Sequence, residues 1–260
     1  MNLASLPSYP YITGDGFRGI CGWILDEYGW RRNAGLDNCI FVKIDFINTF
    51  RLKCIPKSDF ILFTHNGDYG VKDDDISRDI LSRPNLQRWY AQNVLTHHPK
   101  LTPIPIGLTN RRNPHYSDHR VITKTVNMGL VRDNLVYANY TCSTNPKERN
   151  YCVEQTGILP LTNLDFESYL RDLCGTQFVI SPNGNGIDCH RTWESLYCGA
   201  SPICTPYALF QEMKLPVLVI NDWKEFKLLG LCNALYDSLW AGFDPEILKI
   251  EGYLKHLGVI

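Results

Sequence analysis

Short apolar runs alternate with amphipathic stretches along the whole chain, with glycine, proline and asparagine marking the joints. Residues 11–13 predict a short strand, and Phe17, Ile20, Cys21, Ile24 and Leu25 then recur at helical spacing up to Gly29. The runs 39–46 and 59–65 predict strands, the latter nearly all apolar, as a strand covered on both faces should be. Leu86, Trp89, Tyr90 and Asn93 predict a helix over 85–94, and Pro103 to Gly107 a short edge-like strand. The pattern loosens over 121–131. A strand at 134–139, a helix opening at Thr144 or Asn145 with Pro146 in its first turn, and an amphipathic helix at 165–174 follow. Strands at 177–180 and 215–220 flank a further helix, and the chain from Trp223 to Ile260 reads as helical.

This β/α alternation in both halves predicts an α/β protein of two packed, Rossmann-like parallel-sheet domains. The boundaries expected are 1–125 and 126–240, with 241–260 returning to the first domain. At 260 residues the chain can bury a substantial core.

The stretch 177–204 carries the most specific chemistry. Strand 177–180 runs into Ser181-Pro182-Asn183-Gly184-Asn185-Gly186, where glycine and asparagine suit the positive φ of a tight turn. Asp188 is placed to cap the helix that follows, in which Trp193, Leu196 and Tyr197 share a face and Gly199 ends the run. A glycine turn feeding a helix N-terminus presents free N–H groups and the positive dipole end to an anion. Arg191 and Glu194 lie three apart on one face. A guanidinium suits a phosphate, and a carboxylate suits ribose hydroxyls. A plain glycine turn with an exposed ion pair explains the same residues.

Composition narrows the classes. The formal net charge is -1 and no basic stripe interleaved with aromatics is present, which argues against a nucleic-acid polymer as partner. Aromatics make up 12% of residues, enough for sugar-stacking surfaces and equally for a core. Ten cysteines are scattered without a CxxC pair, and Cys39, Cys174 and Cys198 fall in predicted elements as small hydrophobes. With no signal-peptide pattern and no membrane-length apolar run, a soluble cytoplasmic protein is expected. Asp73-Asp74-Asp75 reads as a solvated loop or helix start, and His115 with His119 as loop residues rather than metal ligands.

Several polar residues cluster at expected strand ends. Asp15 and Arg18 follow the first strand, and His65, Asn66, Asp68 and Tyr69 follow the strand at 59–65. Such ends are where open α/β sheets hold ligands. His65 and Asp68 are general-base candidates by type. Asp15 has two compatible roles, helix cap and functional carboxylate. Lys147 and Arg149, near a helix N-terminus they electrostatically oppose, make more sense beside a bound anion.

The order Ser181-Pro182-Asn183-Gly184-Asn185-Gly186-Ile187-Asp188, His190-Arg191, Trp193-Glu194, Gly199, Pro202, Leu215-Pro216 and Asp222-Trp223 resembles the C-terminal half of exostosin-like glycosyltransferases. Similarity to compact members of that family extends through Gly14-Asp15 with Phe17-Arg18, Thr64 to Tyr69, Trp89 to Asn93, Pro103 to Leu108 and Thr144 to Arg149. The stem and second catalytic domain of animal exostosins have no counterpart, so polymerase activity is not implied.

The resemblance implies a GT-B fold with its active site in the interdomain cleft, and an inverting, metal-independent transfer from a UDP-sugar to a glycan or glycoprotein hydroxyl. UDP-xylose or another neutral sugar is the donor expected of a compact member. No cofactor or divalent metal is expected. Asn183, Gly184, Asn185, Gly186, Asp188, His190, Arg191, Glu194, Thr144, Lys147 and Arg149 would hold the nucleotide sugar. Arg18, Asn66 and Tyr69 would hold the acceptor, with the base among Asp15, His65 and Asp68. The alternative is a non-catalytic nucleotide- or sugar-binding scaffold. A Rossmann oxidoreductase fits worse, because Asn183 to Asp188 lacks the G-x-G-x-x-G spacing.

Overall fold

The computed structural model describes residues 2–6, 8–110 and 118–260. The chain forms two α/β units, Met1–Ile106 with Lys249–Ile260, and Gly107–Leu248. This division differs from the expected one at 125/126, because helix His119–Val126 lies in the second unit. Of 241–260, only Lys249–Ile260 belongs to the first.

The first unit contains α1 (Gly14–Ile20), β1 (Cys21–Asp26), β2 (Gly29–Arg32), β3 (Leu36–Lys43), α2 (Ile47–Lys53), β4 (Phe60–His65), α3 (Asp75–Leu81), β5 (Leu86–Ala91) and β6 (Leu101–Pro103). Its six-stranded sheet runs β2-β1-β3-β4-β5-β6. The sheet is mixed rather than wholly parallel, since β1 and β2 pair antiparallel at one edge.

Three local expectations change here. The strand at 11–13 is reduced to a bridge between Tyr11 and Lys249. The helical stripe through Leu25 stops at Ile20, and Cys21–Asp26 becomes a strand. Gly22 permits this, because a Cβ there would collide with the backbone of Leu36 and Asp37 on β3. The third change is at 85–94, where β5 replaces the expected helix. Trp89, Tyr90 and Ala91 are consecutive and all buried, which a strand between β4 and β6 satisfies and a surface helix does not.

One face of this sheet packs Leu25, Ile40, Phe60, Leu62 and Trp89 into a core. Trp89 Nε1 donates to Thr64 Oγ1 at 2.9 Å, which satisfies its buried N–H. Elsewhere in the unit, the rings of Phe17, Phe63, Tyr90 and Tyr253 pack in succession. Tyr253 comes from helix Ile250–His256, which is anchored by Ile250 N–H donating to Pro10 O at 2.8 Å.

The second unit contains α4 (His119–Val126), β7 (Asn134–Tyr137), α5 (Pro146–Thr156), α6 (Phe166–Cys174), β8 (Thr176–Ile180), α7 (His190–Tyr197), β9 (Ser201–Cys204), α8 (Ala208–Glu212), β10 (Leu218–Val219) and α9 (Asn233–Trp240). Its four strands are parallel, in the order β10-β9-β8-β7. The strand expected at 215–220 keeps two residues, Leu218–Val219. Tyr140, Cys152, Phe178, Ile180, Ile203 and Trp223 form the core of this unit. No described helix is long and apolar enough to cross a membrane.

Candidate functional site

In the second unit, the segment leaving β7, the stretch 162–164 and the helices α5, α6 and α7 line a cavity of about 360 Å³. Arg149, Arg191, Glu194 and Thr144 line it together with Tyr140 and Tyr169. It lies beyond the C-terminal end of β7, where α/β sheets expose free backbone and loop groups to ligands.

The two guanidiniums are largely buried and fixed by the backbone. Arg191 Nε donates to Asn139 O at 3.0 Å, and its Nη1 to Pro182 O at 3.2 Å and Ser181 Oγ at 3.3 Å. Arg149 Nε donates to Asn183 O at 2.9 Å, and its Nη1 to Thr141 O at 2.7 Å. Both sit against the Tyr140 ring, at 5.0 Å for Arg191 and 5.6 Å for Arg149. Burial pushes the Arg149 pKa down, and the neighbouring Arg191 charge pushes it the same way. Neither guanidinium has a carboxylate within ion-pair distance among the described residues. Buried charges are normally paired, so two like charges facing one cavity create a strong preference for an anion.

Glu194, on the same helix as Arg191, has its Oε2 held by the Tyr169 hydroxyl at 2.8 Å. Burial raises the Glu194 pKa, while His190, the Tyr169 hydrogen bond and Arg191 oppose that rise. Burial and the Glu194 charge in turn push the Tyr169 phenol well above its ordinary value.

The turn before α7 departs from expectation in three respects. Gly184 and Gly186 do not adopt positive φ. Gly184 serves close packing instead, because a Cβ there would lie 3.1 Å from Arg149 Nη2 and 3.3 Å from Cys189 Sγ. Asp188 does not cap α7: Cys189 occupies that position without a side-chain cap bond, and Asp188 accepts from Trp193 Nε1 at 2.9 and 3.1 Å. The Asn183 N–H is already given to Glu148 Oε1 at 3.0 Å, and the Gly184 N–H to Gly186 O at 3.1 Å.

The structure therefore gathers Thr144, Arg149, Arg191 and Glu194 around one cavity. Asn183, Gly184, Asn185, Gly186, Asp188, His190 and Lys147 lie outside its lining. Lys147 and Asn185 are exposed, and His190 Nδ1 is 2.8 Å from Gly107 O. Asn145 is the α5 cap and also donates its Nδ2 to Gly184 O, tying α5 to the turn. Tyr140, Tyr169 and Thr141 were not singled out from the sequence. Tyr169 stands 25 residues before Glu194, and no local pattern links the two.

The first unit brings Asp15, Asn66 and His65 together. Thr13, not Asp15, caps α1, accepting from Gly16 N–H at 3.0 Å. Asp15 instead accepts from Asn66 Nδ2 at 3.2 Å and lies 3.7 Å from Arg18. Gly14 makes this approach possible, since a Cβ there would overlap the Asn66 side chain and the His65 ring. Asn66 itself takes a positive φ of 63°. His65 is buried, with Nε2 at 3.0 Å from Pro105 O and Nδ1 accepting from Asn66 N–H at 2.7 Å. Nδ1 is also 3.0 Å from Asn66 Oδ1, so both ring nitrogens are engaged. Arg18 turns toward Asp26 at 3.2 Å, while Asp68 and Tyr69 are exposed.

The acidic triplet is structural. Asp74 caps α3 through Ser77 N–H at 2.9 Å, and Asp73 and Asp75 pair with Arg78. His119 opens α4 rather than lying in a loop, with Nε2 at 3.1 Å from Thr109 O, and His115 falls outside the described residues. Among the described residues no group of His, Cys, Asp and Glu could hold a metal ion. All ten cysteines are unbridged thiols. Neither a scan against protein-family models nor a search of curated proteins returns a match.

Proposed function

We propose that this chain is a glycosyltransferase of GT-B type that binds a UDP-sugar in the second unit and transfers the sugar to a hydroxyl acceptor. The observation that carries this reading is the pair of carboxylate-free guanidiniums, Arg149 and Arg191, sharing a cavity with Glu194. A diphosphate answers the two positive charges, and a ribose diol can donate to Glu194 while Tyr169 holds its other oxygen. Thr144 and Thr141 add hydroxyl partners at the same wall.

In the transfer itself, a base removes the acceptor proton as its oxygen attacks the anomeric carbon, and the nucleoside diphosphate leaves from the opposite face. Arg149 and Arg191 stabilise the charge that develops on the leaving group. Asp15 is the base in this reading, because His65 has both ring nitrogens engaged and Asp68 is exposed.

Calorimetric titration with UDP and a panel of UDP-sugars, in EDTA and again with Mn²⁺, tests the proposal. Binding in EDTA with a preferred sugar, followed by turnover on that donor, is expected. Failure of every nucleotide to bind rejects it.

One observation favours the second reading, a nucleotide-binding scaffold without turnover. Arg191 and Arg149 already give five hydrogen bonds to the fold, and the turn amides of Asn183 and Gly184 are given to Glu148 and Gly186. That reading predicts UDP binding with no transfer on any acceptor.

A further inference from the structure

The first unit carries a second cavity, of about 470 Å³, at the opposite end of its strands from Asp15 and His65. It lies where β3 and β4 begin, and β4 alone separates Phe60 from His65 by about 17 Å at ~3.3 Å per residue. Its wall is aromatic. Trp23 of β1 and Trp30 of β2 stack at 5.5 Å with their planes 16° apart, and the Phe50 ring lies 6.4 Å from Trp30. Trp30 sits on the edge strand with 38% of its surface exposed, so part of the indole is open to a ligand from solvent.

The polar groups around that wall have a consistent character. Neither indole N–H, of Trp23 or of Trp30, has an acceptor among the described residues. Asp37, Asn38 and Asp59 bring mostly acceptor oxygens to the rim. Asp59 accepts a single bond from Gln87 at 3.2 Å, and Asp37 pairs with Arg32. Arg32 itself lies 5.0 Å over the Trp23 ring. Lys53 lines the cavity as well and Arg32 pairs with Asp37, so the rim carries both signs and no net charge that would select an ion. The acceptor oxygens call for a ligand rich in hydroxyl donors, with an apolar face to lay on an indole. Oriented C–H groups on such a face meet the electron-rich side of the ring. A neutral saccharide combines both properties, and the cavity volume is that of a small-molecule site.

We infer that the Trp23–Trp30 cavity is a neutral-saccharide subsite, separate from the Arg149–Glu194 cavity and not needed for nucleotide binding. It would hold one unit of a glycan chain at the edge of the first sheet.

Calorimetric titration of the full chain with neutral hexasaccharides of β-1,4-linked glucose, xylose and N-acetylglucosamine and of α-1,4-linked glucose tests this. An acidic hexuronate oligomer and UDP are run beside them. At least one neutral oligosaccharide should bind, at least tenfold more weakly in Trp30→Ala and in Asp59→Ala. Trp30→Phe should retain part of the affinity, and UDP binding should be the same in all variants. Trp30 is on the surface, and thermal unfolding checks that the variants fold. The inference is overturned if no neutral saccharide binds at millimolar concentration, if only the acidic oligomer binds, or if Trp30→Ala binds as well as the wild type. Loss of UDP binding in the wild type would count against the transferase reading alone.

Discussion

Tyr169 donates its hydroxyl to Oε2 of Glu194 at 2.8 Å, so one oxygen of a buried carboxylate that lines the cavity is held in place. Glu194→Gln keeps the shape but removes the charge that would accept two ribose hydroxyls. UDP affinity should fall roughly 10- to 100-fold, as expected for hydrogen bonds to a charged group. Tyr169→Phe should cost less, because the carboxylate stays charged but loses its orientation. Calorimetry on both variants measures this, and wild-type UDP affinity in Glu194→Gln would remove ribose binding from its role.

The raised Glu194 pKa has a definite pH signature. Between the ordinary glutamate value of the unfolded chain and the raised native value, the native state holds the proton more often than the unfolded state. Stability therefore falls as pH rises through that window. UDP affinity should move oppositely and strengthen as the carboxylate ionises. Unfolding curves and UDP titrations across the window check both signs, and Glu194→Gln should flatten both.

Asp26 behaves in the other direction. Burial alone would raise its pKa, but hydrogen bonds from Arg31 and the Tyr28 amide, with the charges of Arg31 and Arg18, lower it overall. Its contribution is present above the unfolded aspartate value and is lost as pH falls through the lower native one. Asp26→Asn should lose on the order of 2–3 kcal/mol at neutral pH, with a much smaller difference from wild type in strong acid. Denaturant titrations at neutral and acid pH give the comparison.

Gly184→Ala tests the link between the turn and the anion site. The added methyl meets Arg149 Nη2 and Cys189 Sγ, and Arg149 has to yield. UDP should bind several-fold more weakly while UDP-independent stability drops by about 1–2 kcal/mol. An unchanged affinity would detach Arg149 from the diphosphate.

Asp15→Asn should lower kcat by about 100-fold or more and leave UDP affinity intact, as loss of a general base does. His65→Gln should chiefly lower the unfolding temperature, because the ring bonds Pro105 O and Asn66 N–H. A kcat loss in His65→Gln equal to that in Asp15→Asn, without loss of stability, would reverse the two roles.

Much of the second unit was legible in its sequence, because strand 177–180, the glycine turn and the Trp193–Leu196–Tyr197 face are local patterns. Gly199 ends α7 at a φ of 77°, as its position suggested. The Leu86–Ala91 strand was not legible, since a short buried run carries helical and extended spacings at once, and only β4 and β6 on either side decide. The same holds for Cys21–Asp26. Within the candidate site, the residue types at 191 and 194 were readable from spacing on one helix. Tyr140 and Tyr169 were not, because they reach the cavity from other elements. Asp188 shows a third kind of limit: its residue type suits a cap, but a buried indole N–H five residues on claims it first.

Helix Ile250–His256 brings Tyr253 against Phe17 and ties Ile250 to Pro10, so the first unit is assembled from both ends of the numbering while Gly107–Leu248 is continuous. During synthesis every residue of the continuous unit is made before residue 250, and until then the first unit lacks a wall. Phe17 and Tyr90 then wait for a partner separated from them by more than a hundred residues of chain. The late step is closure of that long loop, and a chain truncated before Lys249 should expose the aromatic row to chaperones and proteases, whereas one that includes Lys249–Ile260 should not.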